Sequence, residues 1–490
     1  MTTLRDITAA LEAVGQVVRA PVASPALSGV TEDSRRVTPG ALFCAVAGSA
    51  RDGHAFLPDA VARGAAAALV ARPVAEIPIP VVAVRDSRIA AAVAAARWYG
   101  TPGAALRLVG VTGTNGKSTT VALIRHLLAG DEPVGAIGTL GAIDGAGRPA
   151  GDEPIALTTP GAVALQGVLA ALVARGVTTV VLEASSHALD QQRLYGLRFA
   201  AAVYTNLTHD HLDYHGDLAA YRNAKLRLST LLAAGGAEVV NADDPAWSAL
   251  PRRAELDRVT FGVARPADVA ATDVRLGAGG SRFTLRCGDR AVDARLPLLG
   301  AFNVSNALGA AAATWRLGRG PEELAQRLAT APAVPGRLEP IGGDGLMVLR
   351  DYAHTPDALE RAIDALRPVT RGRLLVLFGC GGDRDRKKRP VMGRIAARRA
   401  DVAIVTSDNP RTEDPERIID EIEDGMEGVA HVRITDRREA IGRAVRMLQP
   451  GDCLLLAGKG HETYQIIGER RLPFDEREVV QQALATRVGA

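Results

Sequence analysis

The feature that most restricts the possible folds of this chain is a glycine-rich turn, Gly110-Val-Thr-Gly-Thr-Asn-Gly-Lys-Ser-Thr-Thr120, set between two apolar patterns of different period. Residues 106–112 are mainly apolar and read as a buried strand. Residues 118–128 carry Val121, Leu123, Ile124, Leu127 and Leu128 at helical spacing. A buried strand that passes through a glycine turn into a helix is the opening of a parallel α/β unit. The order also matches a phosphate cradle. The N–H groups of Gly113, Thr114, Asn115 and Gly116 and the following helix N-terminus face an anion. Lys117 reaches the β/γ-phosphates of ATP, and the hydroxyl of Ser118 or Thr119 faces Mg²⁺. The strict spacing GxxxxGK[ST] is not met, because position 111 is Val and Gly110 lies one residue too early.

The same theme recurs along the chain. Residues 179–183, 201–206 and 237–241 are apolar runs of strand length that end in polar residues, with helical stretches between several of them. Residues 374–378, 402–406 and 453–457 repeat the pattern. Strand ends of such a sheet line a ligand crevice. Two turn-rich stretches, 99–103 and 331–336, divide the chain into segments 1–102, 103–335 and 336–490. The expectation is a three-domain α/β protein. It has a smaller N-terminal α/β domain, a central P-loop-type domain with a mostly parallel sheet, and a Rossmann-like C-terminal domain.

Composition narrows the function classes. Of the 490 residues, 47% are hydrophobic and 23% charged, as in ordinary globular proteins, and at 4% aromatic the cores must be built from Ala, Val, Leu and Ile. A net charge of +3 without a long basic block argues against nucleic acid as a partner. Cys44, Cys287, Cys380 and Cys453 are far apart, which argues against a disulfide framework or a zinc site and suits a reducing cytoplasm. The N-terminus lacks a signal-peptide core, and the Ala-rich residues 89–96 are too few to span a membrane.

Lysine is nearly absent. Of 58 Lys+Arg only Lys117, Lys225, Lys387, Lys388 and Lys459 are lysine. Arginine supplies the routine positive charge, so a retained lysine points to something a guanidinium cannot do: act as a compact point charge, or lose its proton and react. Lys117 is in the glycine turn and Lys459 in Gly458-Lys-Gly-His-Glu462.

Glu183 ends a strand and is followed by Ser185-Ser186-His187, and residues 208–215 hold three of the nine histidines. Zinc is one reading, though no cysteine accompanies the cluster; a hydrogen-bonded surface loop is another. Beside a phosphate loop, an oxygen-rich Mg²⁺ site is favoured. Lys225 closes the run Tyr221-Arg-Asn-Ala-Lys225. Burial near cations would lower its pKa, and the neutral amine could then take up CO₂ to form a carbamate, turning a cation into an oxygen ligand.

The irregular loop Gly110-x-x-Gly113-Thr-Asn-Gly-Lys-Ser118 resembles that of the ATP-dependent Mur ligases and their relatives, the folylpolyglutamate synthases, which join an amine to a carboxylate through an acyl phosphate. The resemblance runs over essentially the whole chain. Asp33-Ser34-Arg35, Pro39-Gly-x-Leu-Phe43 and Gly48-x-x-x-Asp-Gly53 are similar to the family's UDP-sugar domain. It implies muramoyl-peptide contacts at Thr158, Thr159, Ser185, Gln191 and Arg193, and adenine, ribose and phosphate contacts around Asn303, Asn306, Arg337 and Asp351. It further implies Ser118, Glu183 and His211 on the metal side, with Lys225 as the carbamate. Leu157 stands where some relatives carry Asn.

The last segment bears on the incoming amino acid. Gly379-Cys-Gly-Gly-Asp-Arg-Asp385 lacks the G-x-G-x-x-G spacing of a dinucleotide site. Residues 382–390 and Asp408-Asn409-Pro410-Arg411 instead resemble the diaminopimelate-adding Mur ligases. That resemblance implies paired hydrogen bonds from Arg411 to the distal carboxylate of meso-diaminopimelate, with Arg389, Gly458 and Glu462 as further contacts and Glu462 facing the distal ammonium. The expected activity is transfer of meso-2,6-diaminopimelate onto UDP-N-acetylmuramoyl-L-alanyl-D-glutamate by a cytoplasmic monomer in peptidoglycan precursor synthesis. The alternatives are a lysine-adding member of the family, a folylpolyglutamate synthase, or an ATP-binding regulator without catalysis.

Overall fold

Apolar runs that the sequence marks as strands become the central strands of parallel sheets in the computed structural model, which describes residues 2–48, 51–151, 157–343 and 345–488. Ser49 and Ala50, inside the Gly48 to Gly53 motif, lie outside the described residues. The described residues group into two compact units: Met1–Thr260 with Ala312–Leu317, and Phe261–Ala311 with Gly318–Ala490.

The first unit contains two sheets. The N-terminal one has five strands in the order Val17–Arg19, Val81–Val84, Ala67–Val70, Ala41–Cys44, Gly29–Thr31, parallel except for the first pair. Helix Ser87–Trp98 buries Ala90, Ala91, Ala92, Ala94 and Ala95. It is the Ala-rich stretch of the sequence, and small side chains let it pack both on this sheet and on helix Ala162–Ala174. Among the described residues no helix is long and apolar enough to cross a membrane.

The other sheet of this unit places the phosphate loop. Its strands run in the order Gly141–Ile143, Val134–Gly138, Thr179–Glu183, Arg107–Thr112, Phe199–Tyr204, Leu232–Asn241, and only the first is antiparallel to its neighbour. The register pairs Val111 with Glu183 and Thr112 with Tyr204. Gly113, Glu183 and Thr205 therefore emerge together at the carboxyl ends of neighbouring strands, where α/β sheets bind ligands. Leu108, Val180, Leu182, Phe199, Ala202 and Leu228 are buried in the core beneath them.

The second unit has a doubly wound sheet in the order Glu339–Pro340, Met347–Asp351, Cys453–Ala457, Leu374–Phe378, Val402–Val405, Val432–Arg433. Only the first pair is antiparallel. Helices Pro356–Leu366, Lys388–Arg399 and Pro415–Glu423 cover one face, and Arg437–Met447 with Glu476–Val488 the other. The strand ends Phe378, Val405 and Ala457 lead directly into the glycine-rich turn, Asp408-Asn409-Pro410-Arg411 and Gly458-Lys459. This unit also holds the antiparallel strands Val269–Gly277, Gly280–Cys287 and Arg290–Leu296, which the sequence reading did not anticipate. Their inward residues alternate with exposed ones, so no continuous apolar run announces them.

Candidate active site

The phosphate loop is latched to the neighbouring strand end. Asn115 N–H donates to Asn206 Oδ1 (2.9 Å), Thr114 N–H to the Asn206 carbonyl (2.7 Å), and Thr205 Oγ1 to the Asn115 carbonyl (2.7 Å). Gly113 has φ +147° and lies so close to Thr205 Oγ1 that no Cβ would fit, so only glycine lets the two chains approach. Gly116, at φ +85°, turns the chain into helix Lys117–Leu128. Ser118 and Thr119 are buried in the first turn of that helix.

Two lysines meet at this loop. Lys117 Nζ donates to the Gly113 (3.0 Å) and Thr114 (2.8 Å) carbonyls. Lys225, in the last turn of helix Leu218–Leu226, is 1% exposed, donates to the same Gly113 carbonyl (2.7 Å), and sits over the Tyr221 ring at 4.3 Å. Burial, and then the charge of Lys117, hold its amine well below the ordinary lysine range, against an opposing pull from Asp210.

Glu183 is 2% exposed, and Thr139 fixes its carboxylate: Oε1 accepts from Thr139 N–H (2.9 Å), and Oε2 from Thr139 Oγ1 (3.2 Å). Gly138 packs directly on the Glu183 side chain. His187, four residues on, stacks among rings: its centroid lies 4.8 Å from that of His211, 4.3 Å from Tyr214 and 5.4 Å from His215. Burial, with His211 and His215 nearby, pushes the His187 pKa down to about 4. His211 adopts a left-handed backbone (φ +53°), keeps about half of its side chain exposed, and lies 3.4 Å from Asp210 Oδ2. Among the described residues no three His, Cys, Asp or Glu side chains converge as a ready-made metal cluster. The donors present are a buried carboxylate, a hydroxyl, one imidazole and a buried lysine amine whose pKa burial holds down. They suit a hard cation that takes most of its ligands from phosphates and water, as Mg²⁺ does, and not a preformed zinc cage.

The expected muramoyl-peptide residues form one connected group. Thr158 Oγ1 accepts from Thr139 Oγ1 (3.2 Å), and Thr159 Oγ1 donates to the Glu183 carbonyl (2.6 Å) and accepts from Ser185 N–H (3.1 Å). Arg193 donates to the Thr159 carbonyl (2.8 Å) and, through Nη2, to Gln191 Oε1 (2.6 Å). Glu32 of the N-terminal sheet faces Arg193 electrostatically, and burial raises its carboxyl pKa. Ser34, two residues on, is buried in the following turn. Leu157, by contrast, is 50% exposed. Sequence reasoning missed Thr139, Asn206, Tyr214 and Glu32 as members of this site. The polar end of the run 201–206 was a signal for Asn206, but nothing local marks the other three.

The expected nucleotide contacts Asn303, Asn306, Arg337 and Asp351 belong to the second unit. Asn303 and Asn306 lie early in helix Ala301–Arg316, where Asn303 Nδ2 donates to the Leu299 carbonyl (2.8 Å) and Asn306 Nδ2 to Asn303 Oδ1 (3.0 Å). Asp351 Oδ2 accepts from Leu338 N–H (2.7 Å), burial raises its pKa, and Arg337 lies over the Tyr352 ring.

At the amino-acid end, Arg411 has a left-handed backbone (φ +51°) and donates through Nη1 to the Gly382 carbonyl (2.8 Å), with Gly381 directly beneath its guanidinium. Gly382 packs on the Pro410 carbonyl. Gly458, at φ +118°, leaves room for Asp408, and Asn409 Nδ2 donates to Glu462 Oε2 (2.9 Å). Arg389 departs from expectation. Its side chain is 0% exposed, and its two Nη atoms are taken by Glu413 (2.9 Å each) and Glu421 (2.8 Å). Position 389 falls on the inward face of helix Lys388–Arg399, where its guanidinium ties three elements together. Of the exposed arginines of the same motif, Arg384 has its stem against Gly381 beside Arg411.

Arg389→Ala is therefore expected to act on stability. Leaving the carboxylates without their buried partner should cost about 3–5 kcal/mol, read as a lower denaturation midpoint. Arg389 holds the Glu413 carboxyl down at about 2, so the cluster's stabilisation is present above pH 4.5 and is lost as pH falls toward 2. Acid unfolding of wild type should steepen in that window, and that of Arg389→Ala should not.

Three family models match: Mur ligase family, catalytic domain, at residues 26–102; Mur ligase middle domain at 111–314; and Mur ligase, glutamate ligase domain at 336–460. The chain is 45% identical to the UDP-N-acetylmuramoyl-L-alanyl-D-glutamate–2,6-diaminopimelate ligase of Synechococcus elongatus, over 95% of each chain. It is likewise 45% identical to the enzyme of that name from Gloeobacter violaceus, over 94% of each. A solved structure of a ligase with that name superposes with a TM-score of 0.66 at 34% identity, covering 94% of this chain and 95% of that one. The chain therefore belongs to the Mur ligase family.

Proposed function

We propose that this protein is an ATP-dependent ligase that joins meso-2,6-diaminopimelate to the D-glutamate carboxylate of UDP-N-acetylmuramoyl-L-alanyl-D-glutamate, a step of peptidoglycan precursor synthesis. The observation that carries the reading is the meeting of Lys117 and Lys225 on one loop carbonyl, at the strand ends that also present Glu183. Lys117 supplies the ammonium of an anion site at this loop, and Lys225 lies on the same carbonyl beside it. Lys117 can turn from the loop onto a phosphate, while the loop N–H groups and the helix N-terminus share the charge.

Ser118, Glu183, His211 and a carbamylated Lys225 would hold Mg²⁺. Bound with ATP, the ion supplies charge neutralisation on the phosphates. Thr139 holds the Glu183 carboxylate in place through two hydrogen bonds. Thr158, Thr159, Ser185, Gln191 and Arg193 orient the muramoyl-peptide so that its free carboxylate approaches the γ-phosphorus in line. The resulting acyl phosphate is attacked by the amine of diaminopimelate, phosphate leaves, and the rate gain is mostly positioning and electrostatics. Arg411 selects the distal carboxylate, with Arg384 in place of Arg389 as the second guanidinium, and Glu462 receives the ammonium. We take segments 1–102, 103–335 and 336–490 as the UDP-sugar, ATP and amino-acid domains of a cytoplasmic monomer.

The test supplies purified protein with ATP, Mg²⁺, bicarbonate, the nucleotide dipeptide and either diaminopimelate or lysine. ADP release that requires all components, together with a mass gain of one diaminopimelate on the nucleotide product, supports the reading. No ADP release, or equal use of lysine, overturns it.

A further inference from the structure

Lys459 is one of the retained lysines that the reaction leaves unused, and the one that is fully buried among them. The second unit buries it completely, at 0% exposure. Its Nζ donates to Asn409 Oδ1 (3.0 Å) and to the Tyr464 carbonyl (2.8 Å), and it lies 3.3 Å from Asp408 Oδ1 and 3.8 Å from Glu462 Oε2. A fully buried ammonium is expensive unless its surroundings need the charge, and these do. Asp408 and Glu462 are two carboxylates facing one small pocket, and without a cation between them they repel.

The ammonium also decides which way an amide points. Asn409 Oδ1 accepts from both Lys459 Nζ and Ile466 N–H (3.0 Å). With its oxygen fixed there, the Nδ2 of Asn409 can only turn toward Glu462 Oε2. A flipped amide would set N–H against two donors and oxygen against a carboxylate. Asp408 is held from its other side by Gln465, whose Nε2 donates to the Asp408 carbonyl (2.7 Å). The backbone around Arg411 joins the same frame: Arg411 N–H donates to the Ile466 carbonyl (3.1 Å) and Gly468 N–H to the Arg411 carbonyl (2.7 Å). One buried charge thus organises Asp408, Asn409 and Glu462 on the loops that carry Arg411 and Gly458.

We propose that Lys459 is a positioning residue for recognition of the incoming amino acid: its buried ammonium orients Asn409 and aims Glu462 at the substrate's ammonium group, without itself touching the substrate. The proposal rests on the assignment of this pocket to diaminopimelate. Burial already raises the Glu462 pKa, and Lys459 and Asn409 oppose that rise, so removing the lysine frees the carboxyl to climb further.

The test uses full-length Lys459→Met and Lys459→Gln, the second retaining a hydrogen-bond donor without charge. Wild type and Lys459→Arg serve as references, and Arg411→Ala as a control on the pocket. Loss of one charge-assisted contact should raise KM for diaminopimelate by about tenfold or more in Lys459→Met and Lys459→Gln. KM for ATP and for the nucleotide dipeptide should stay put, and the acid limb of kcat/KM for diaminopimelate should move to higher pH. Lys459→Arg, which keeps the charge, should recover part of the loss. Equal rises in all three KM values, an unmoved pH limb, or an unchanged KM for diaminopimelate in folded variants would overturn the proposal. Failure of both neutral variants to fold would also overturn it, by making Lys459 a folding residue. If Arg411→Ala also leaves KM for diaminopimelate unchanged, the assignment of the pocket fails, and the role of Lys459 fails with it.

Discussion

Lys225→Ala is expected to lower kcat by about 10³-fold while the protein stays folded, the scale seen when a group that stabilises transition-state charge is removed. The folded protein should tolerate the change because the lysine is held in an unfavourable state. Its amine is buried at 1% exposure beside Lys117 and kept well below the ordinary lysine range. A lysine whose folded pKa is depressed destabilises the fold as pH drops from the ordinary value near 10.5 toward that lower one, because the unfolded chain takes up a proton that the folded chain refuses. Deleting the free amine relieves that penalty. The neutral amine is, however, the form that adds CO₂. Wild type stripped of CO₂ should lose activity and regain it with bicarbonate, and intact-mass spectra under native conditions should gain one carbamate. Lys225→Ala should show neither response. Lys225→Arg should be as inactive as the alanine variant, since a guanidinium keeps its charge and forms no carbamate. Full activity of wild type without CO₂ would count against the carbamate.

Arg411→Ala is expected to reduce kcat/KM for diaminopimelate by about 10²-fold, the usual loss when one partner of a desolvated charge pair is removed. Activity with lysine should change little, because lysine offers no distal carboxylate to this guanidinium. Competition between the two amino acids, followed by product mass, reads the ratio directly. The effect should fall on recognition and leave stability nearly intact, because among the described residues the Arg411 side chain donates only to the carbonyls of Gly382 and Asn409. Arg389→Ala should behave in the opposite way, since its two carboxylate partners are left without their buried cation. The two variants are thus expected to separate, Arg411→Ala acting on recognition and Arg389→Ala on stability.

Much of the sheet architecture was legible. The runs at 179–183, 374–378 and 453–457 are strands with those bounds, and helix Lys117–Leu128 starts one residue before its apolar stripe. Buried parallel strands are apolar on both faces, so their signal is local and strong. The antiparallel strands Gly280–Cys287 and Arg290–Leu296 face water on one side and carry a signal only half as dense. Within the site, Lys117, Glu183 and Lys225 were readable because the chemistry restricts residue type and the chain is poor in lysine. Thr139 was not, since its partner Glu183 is 44 residues away and threonine is common at strand ends.

By itself the sequence determined where the phosphate loop lies, which strands surround it and which few lysines matter, because backbone periodicity, glycine turns and residue scarcity are properties of neighbours along the chain. Only the tertiary structure decided which charges are buried and against what. Arg389 and Arg384 are both arginines of one motif, yet the first turns inward from helix Lys388–Arg399 to Glu413 and Glu421, while the second, in the turn before that helix, is exposed. Lys459 becomes the hub of Asp408, Asn409 and Glu462 only when two strand ends about fifty residues apart meet. Desolvation and charge pairing depend on distances through space, and those are set by packing.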